Sequence, residues 1–294
     1  VHDDPSNPEP PAADDGALAP GLYIVATPIG NLGDITARAI STLRRASLIA
    51  CEDTRVTARL LAHHGITTRM TPYHDHNGAA VRPGLIARAQ GAAVALVSDA
   101  GTPLISDPGY RLVAEARAAG VAVHAVPGPC AAIAALSIAG LPPDRFLFAG
   151  FLPARAGARA AAIAELAAVP ATLIFYESGP RLAATLAALR DGLGDRPAAV
   201  GRELTKRFEE MVTAPLSRLA GHWPQPPRGE LVVIVGPPLP PPPADADTLD
   251  AALLAALAGG ASVKDAARSV AAALSLPRAD AYARALALKP GRDG

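Results

Sequence analysis

The chain has 294 residues, room for about two globular domains, and its 27 Lys and Arg balance 27 Asp and Glu, a formal net charge of +0. Half the residues are hydrophobic and 18% are charged, so a large core can form and whole-chain disorder is excluded. No apolar run approaches the ~20 residues that span a bilayer, and a neutral chain has no global attraction for phosphate, which argues against a non-specific nucleic-acid binder.

Residues 1–20 are acidic and Pro-rich and are expected to form a disordered tail, with neither the basic start nor the apolar stretch of a secretory signal. Structure is expected from Gly21. Leu22 to Ala26 is a short apolar, β-branched run that reads as a buried strand, followed by the turn TPIGNLGD. Thr36 to Ala46 is helical in pattern, and Leu48 to Cys51 reads as a second strand before the helix-like TRVTARLLAHH, which Gly65 stops. Ala93 to Val97 and Val121 to Val126 are further strands, each followed by a loop and a helical stretch. Strands alternating with helices predict parallel βαβ units and an α/β fold.

After about Pro143 the rhythm changes. RFLFAGFLP, ATLIFYES, AAVGREL, FEEMVTA and ELVVIVGP are five candidate strands, only some separated by helices, so several neighbours are expected to pair antiparallel. The expected organisation is an N-terminal α/β domain over 21–127, a C-terminal α/β domain over 128–236, a stiff Pro-rich linker over 237–247, and a small helical region over 248–294. Two cysteines, Cys51 and Cys130, make no disulfide framework and fit a reducing cytoplasm.

The candidate chemistry sits at strand ends. In TPIGNLGD, Gly30 and Gly33 allow close backbone approach to a ligand, although the turn is no GxGxxG; the alternative is a plain turn with Asp34 capping the next helix. In SDAGTPLISDPG, Asp99 can accept hydrogen bonds from a ligand and Gly101 lets the backbone approach, whereas Asp107-Pro108 reads better as a helix cap with proline in the first turn. PGPCAA opens a helix whose free N–H groups could hold a polar ligand atom, with Cys130 read as a small packing thiol. CEDTR sets Glu52, Asp53 and Arg55 after a strand, either as an acid–base group or as a helix cap with a solvated glutamate. His74 and His76 in YHDHN would share a face if extended, but no further ligands stand at zinc spacing, and His63-His64 reads as a helix end. Glu177, Arg202, Glu203, Lys206 and Arg207 either form rim salt bridges or face the first domain across a cleft.

Taken in order, LYIVATPIGNLGDIT, IACEDTR, YHDHN, LVSDAGTPLISDPGY, PGPCAAIAAL, LPPDRFLFAGFLP, TLIFYES, GRELTK and GELVVIV resemble the bacterial 16S rRNA cytidine-2′-O-methyltransferases of the tetrapyrrole-methylase (class III) superfamily, over about 21–288. The resemblance implies two α/β domains with S-adenosylmethionine (SAM) in the cleft between them, a small helical C-terminal appendage, and a cytoplasmic homodimer acting on a decoding-centre cytidine of 16S rRNA in the small ribosomal subunit; from run lengths and ligand spacing, no membrane partner and no metal are expected. It places Pro28, Gly30, Asp99, Ala100, Gly101, Ala131 and Ala132 on the cofactor from the first domain, and Tyr176, Leu204, Gly229 and Leu231 from the second. The implied chemistry is attack of a ribose 2′-oxygen on a sulfonium methyl, for which positioning matters most. A base or orienting cation should help, and the candidates are Glu52, Asp53, Arg55 and Lys206. The family's lysine-rich tail is thinner here, with Arg278, Arg284 and Lys289 remaining. Two other readings on the same scaffold are a methylase of a tetrapyrrole or other small metabolite, and a non-enzymatic SAM- or ribosome-binding module.

Overall fold

The computed structural model describes residues 16–239, 246–274 and 276–288. The expected tail through residue 15, and most of the expected linker, lie outside them. Residues 16–20 are mostly exposed but are tied to the first sheet at three points. Leu18 packs on its core, the Tyr23 hydroxyl donates to the Ala19 carbonyl (3.0 Å), and Arg45 Nε donates to the Gly16 carbonyl (2.6 Å).

The first half runs β1 (Gly21–Val25), α1 (Ala37–Arg45), β2 (Leu48–Cys51), α2 (Thr54–His63), β3 (Met70–Pro72), α3 (Gly78–Gly91), β4 (Ala93–Val97), α4 (Tyr110–Ala118) and β5 (Val123–Val126). All five strands are parallel, in the order β3-β2-β4-β1-β5. Burial on both faces explains why β4 is the uninterrupted apolar run AVALV, every residue of it buried. The strand order turns back on itself at β4 and β1. Just beyond these two strands Thr27 and Gly101 exchange backbone hydrogen bonds of 2.9 and 3.1 Å, which ties their loops together.

The second half runs α5 (Ala131–Ile138), β6 (Phe146–Phe151), α6 (Ala156–Leu166), β7 (Thr172–Ser178), α7 (Gly179–Leu193), β8 (Pro197–Arg202), β9 (Glu210–Pro215), the single-turn α8 (Leu216–Leu219) and β10 (Glu230–Val235). The sheet order is β6-β7-β10-β8-β9; only β6 and β7 are parallel, the other pairs antiparallel. Period-two alternation divides its residues between two cores. Leu173, Phe175, Val200 and Val233 pack with Leu182, Leu186 and Leu189 of α7, which recur at helical spacing. On the opposite side Ile174, Ala199, Val232 and Ile234 pack with Ala132, Ala135 and Leu136 of α5. The protein is thus α/β with two sheets. The second compact unit, from residue 238 onwards, holds α9 (Ala246–Ala258), α10 (Val263–Leu274) and α11 (Arg278–Leu288), closed around Leu253, Val270 and small alanines.

One glycine fixes how the segment before β10 lies. A Cβ built on Gly179, at the start of α7, would stand 1.6 Å from the Pro227 carbonyl oxygen. That neighbour is backbone and cannot rotate away. Gly179→Ala is therefore expected to destabilise the protein by about 1–3 kcal/mol. Urea denaturation checks this, and an unchanged midpoint would mean that the 221–229 segment yields freely.

Candidate functional site

The two sheets enclose a cleft of about 290 Å³. It is lined by Ile29 beyond β1, Glu52 beyond β2 and residues 99–102 and 105–107 beyond β4, all from the first half, and by Ala131 at the start of α5. From the second half also come Phe151 at the end of β6, Tyr176 and Glu177 on β7, Glu203, Leu204 and Lys206 beyond β8, and residues 230–232 on β10. Ligands in open α/β sheets bind beyond the carboxyl ends of the strands, near the switch point, and this cleft lies there.

Backbone strain gathers at the same place. Among the described residues, the four non-glycine residues with positive φ are Leu104 (76°), Ser106 (64°), Glu203 (50°) and Thr205 (66°), all in the two loops flanking the cleft. Each such conformation costs ~1–3 kcal/mol and persists only where the surroundings enforce it. Here glycines help: Gly229, at φ 91°, leaves room for the Glu203 carboxylate, and Gly30 lies under the aliphatic stem of Lys206.

The lining is strongly acidic. Glu52, Asp99, Asp107, Glu177, Glu203 and Glu230 face a single cation, Lys206, which pairs with Glu203 at 3.0 Å. Glu177 is buried and satisfied: it accepts from the Thr185 hydroxyl (2.6 Å) and the Ser178 amide (2.8 Å), and Arg181 stands at 3.2 Å. Burial, then the negative charges of Asp99, Asp107, Asp75 and Asp53, push the Glu52 carboxyl above its ordinary range. Burial raises Asp107 too, with Asp99 and Glu230 adding to it and a hydrogen bond from Ser98 opposing it. Tyr176 is likewise pushed up by burial; its oxygen accepts the Ala132 amide at 3.3 Å.

A carboxyl raised in the folded state contributes stability that is present below its ordinary pKa and lost as pH rises through the raised value. Asp107→Asn is therefore expected to raise the melting temperature of the ligand-free protein at pH 7, by on the order of 2 °C. The gain should vanish below pH ~4. Thermal melts across this range check it, and a pH-independent difference would contradict it.

Several expected residues meet in the cleft: Glu52, Asp99, Ala100, Gly101, Ala131, Tyr176, Leu204, Lys206 and Leu231. Pro28, Gly30, Ala132 and Gly229 do not line it. Neither do Asp53 and Arg55, which pair with each other at 2.6 Å; the arginine side chain is 86% exposed. Asp53 caps α2, is held down to about 2 by hydrogen bonds from Arg55, and donates its own amide to Asp99 Oδ1 at 3.0 Å. The helix-cap readings of Asp34 and Asp107 are corrected. Thr36 caps α1, and α4 begins only at Tyr110 after Gly109 (φ 144°), which leaves Asp107 free to face the cleft. His74 and His76 stand in a turn rather than on an extended segment, and no metal-ligand cluster exists among the described residues. Of the second-half charges, Glu177, Glu203 and Lys206 reach the cleft, while Arg202 pairs with Glu210 (2.9 Å) and Arg207 lies over Phe208. Ser106, Phe151 and Glu230 escape the sequence reading, although each stands inside one of its segments, SDAGTPLISDPG, LPPDRFLFAGFLP and GELVVIV.

A model of the tetrapyrrole (corrin/porphyrin) methylases matches residues 21–220, and one of the RsmI C-terminal HTH domain matches residues 242–289. The chain is 54% identical over 274 residues to a protein named ribosomal RNA small subunit methyltransferase I from Erythrobacter litoralis, covering 92% of this chain and 96% of that one. It is 56% identical over 224 residues to the protein of that name from Mesorhizobium japonicum, 75% of this chain and 76% of the other. Among solved structures, diphthine synthase aligns with a TM-score of 0.59 at 18% identity, over 73% of this chain and 89% of that one. Uroporphyrin-III-C-methyltransferase from Thermus thermophilus aligns with a TM-score of 0.54 at 23% identity, over 74% and 94%. At such identities the likeness is one of fold.

Proposed function

The chain belongs to the tetrapyrrole (corrin/porphyrin) methylase family and, within it, to the ribosomal RNA small subunit methyltransferase I proteins; from that premise we propose that it methylates, from SAM, the ribose 2′-oxygen of a decoding-centre cytidine in 16S rRNA of the small ribosomal subunit. The observation that carries the donor half is the charge of the cleft, six carboxylates against one lysine. Such a lining suits a cationic ligand with hydroxyl and amino donors and repels a phosphorylated one. SAM, when bound, supplies the methyl group on a positively charged sulfur. For the acceptor half, the relatives' name supports small-subunit rRNA, and the cytidine 2′-oxygen rests on the motif resemblance alone.

Asp99 would accept from hydroxyl groups of the cofactor, and the backbone of Ala100, Gly101, Ala131, Leu204 and Leu231 would follow its outline beside Tyr176. Pro28, Gly30, Ala132 and Gly229 would act one step back: Gly30 and Gly229 give Lys206 and Glu203 their places, and the Ala132 amide holds the Tyr176 ring. Glu52 would take the proton of the attacking hydroxyl. Asp53 would serve by holding Asp99, with Arg55 in turn steadying Asp53. Lys206 would act through its pair with Glu203.

The alternative is a tetrapyrrole or other small-metabolite acceptor on the same scaffold. The rRNA reading carries a cytoplasmic homodimer; the exposed Ile133 and Ile138 of α5 offer apolar surface for a second copy, which sedimentation would detect. The deciding experiment is transfer of labelled methyl from SAM to 30S subunits of a strain lacking this protein, followed by mass spectrometry of the 16S rRNA. Label on a 2′-O-methylcytidine is expected. Its absence overturns the reading, transfer to a precorrin-like acceptor without ribosomes favours the small-molecule reading, and cofactor binding without transfer the binding module.

A further inference from the structure

The end of β6 carries a feature that the donor site does not use. Along a regular strand, residues three apart point to opposite faces. Phe148 and Phe151 do not. Phe148 pairs with Ile174, Gly150 with Phe175 and Phe151 with Tyr176, so Ala149 is an extra residue and the strand bulges there. Gly150 takes φ 65°, and a Cβ built on it would meet Ser106 Oγ at 3.3 Å. Bulges re-aim side chains next to active sites. The consequence here is that both phenylalanines meet one ring, edge to face: Phe148 at 4.8 Å and Phe151 at 5.7 Å from the Tyr176 centroid.

Their surroundings then differ. Phe148 packs against the core of Ile174 and Val232. Phe151 lines the cleft yet remains 53% exposed. Its neighbour Tyr176 is fixed from behind by the Ala132 amide. The result is a braced aromatic ring, open to water on one side, at the edge of a cleft too acidic to draw in a phosphate. A nucleobase, by contrast, offers a neutral π-face that stacks on such rings.

We propose that Phe151 is the platform on which the base of the acceptor nucleotide stacks, which sets its ribose before the donor cleft. The inference rests on the rRNA-methylation reading above. The test compares wild type with Phe151→Leu and Phe151→Tyr, reading KM for 30S subunits, kcat, SAM affinity by calorimetry, and melting temperature. Phe151→Leu keeps apolar bulk without a π-face and is expected to raise KM for the subunit about tenfold or more, with SAM affinity and melting temperature unchanged. Phe151→Tyr should restore KM to within about threefold of wild type. A wild-type KM in Phe151→Leu overturns the inference, as does a parallel loss of SAM affinity, which would assign the ring to the donor. Wild-type protein inert on 30S subunits would bring down the methylation reading itself and this inference with it; transfer by wild type alongside an unaffected Phe151→Leu would bring down the inference alone.

Discussion

Glu52→Gln is expected to slow methyl transfer to 30S subunits by about 10²-fold or more, with SAM affinity within about twofold of wild type. The side chain leaves the end of β2 directly into the cleft. Burial first, and four neighbouring aspartates after it, make its carboxylate a stronger proton acceptor than an ordinary one. The cation closest in sequence, Arg55, does not relieve this, because it is committed to Asp53 and turned to solvent. Glutamine preserves shape and one acceptor oxygen but cannot take a proton. Single-turnover rates should rise with pH through the raised value of Glu52 in wild type and lose that limb in the variant. A Glu52→Gln rate within about threefold of wild type would remove Glu52 from the chemistry.

Asp99→Ala is expected to weaken SAM binding by about 10- to 100-fold, the scale of one lost hydrogen bond to a charged group. The effect has two sources. Asp99 faces the cleft, and its Oδ1 also accepts the Asp53 amide that opens α2. Asp99→Asn separates them, since the amide oxygen can still hold Asp53 N–H while the charge is gone. Calorimetry on both variants should find the asparagine protein in between. If Glu52→Gln cost more SAM affinity than Asp99→Ala, the two roles would have to be exchanged.

Much of the scaffold is legible because its strands are buried on both faces. AVALV and LIAC are continuous apolar runs, and TLIFYES and ELVVIV are flanked by turn signals. The stretch from 70 to 91 is not. β3 has three residues, and α3 carries Gly78, Pro83, Gly84 and Gly91 with only three residues buried, so it shows neither good propensity nor an apolar stripe. At the site, loops with glycine at a strand end are readable, since only the chain's local needs put Gly101 there. Asp107 misleads because Asp-Pro is a strong local cap signal, and Gly109, two residues on, overrides it. The approach of Glu230 and Phe151 to the first sheet's loops depends on the bulge at Ala149 and on cross-sheet packing, neither of which has a local signature.

The acidic cleft also changes what a zero total means. The chain balances 27 basic against 27 acidic side chains, yet the hollow between the sheets takes six of the acids and one of the bases. Everything outside that hollow must therefore hold more positive than negative side chains. In the sequence, the first 15 residues carry five of the other acids and no Lys or Arg. Neutrality here is an average over unlike regions: the zero total conceals an acidic hollow offset by 26 basic against 21 acidic side chains in the rest of the sequence.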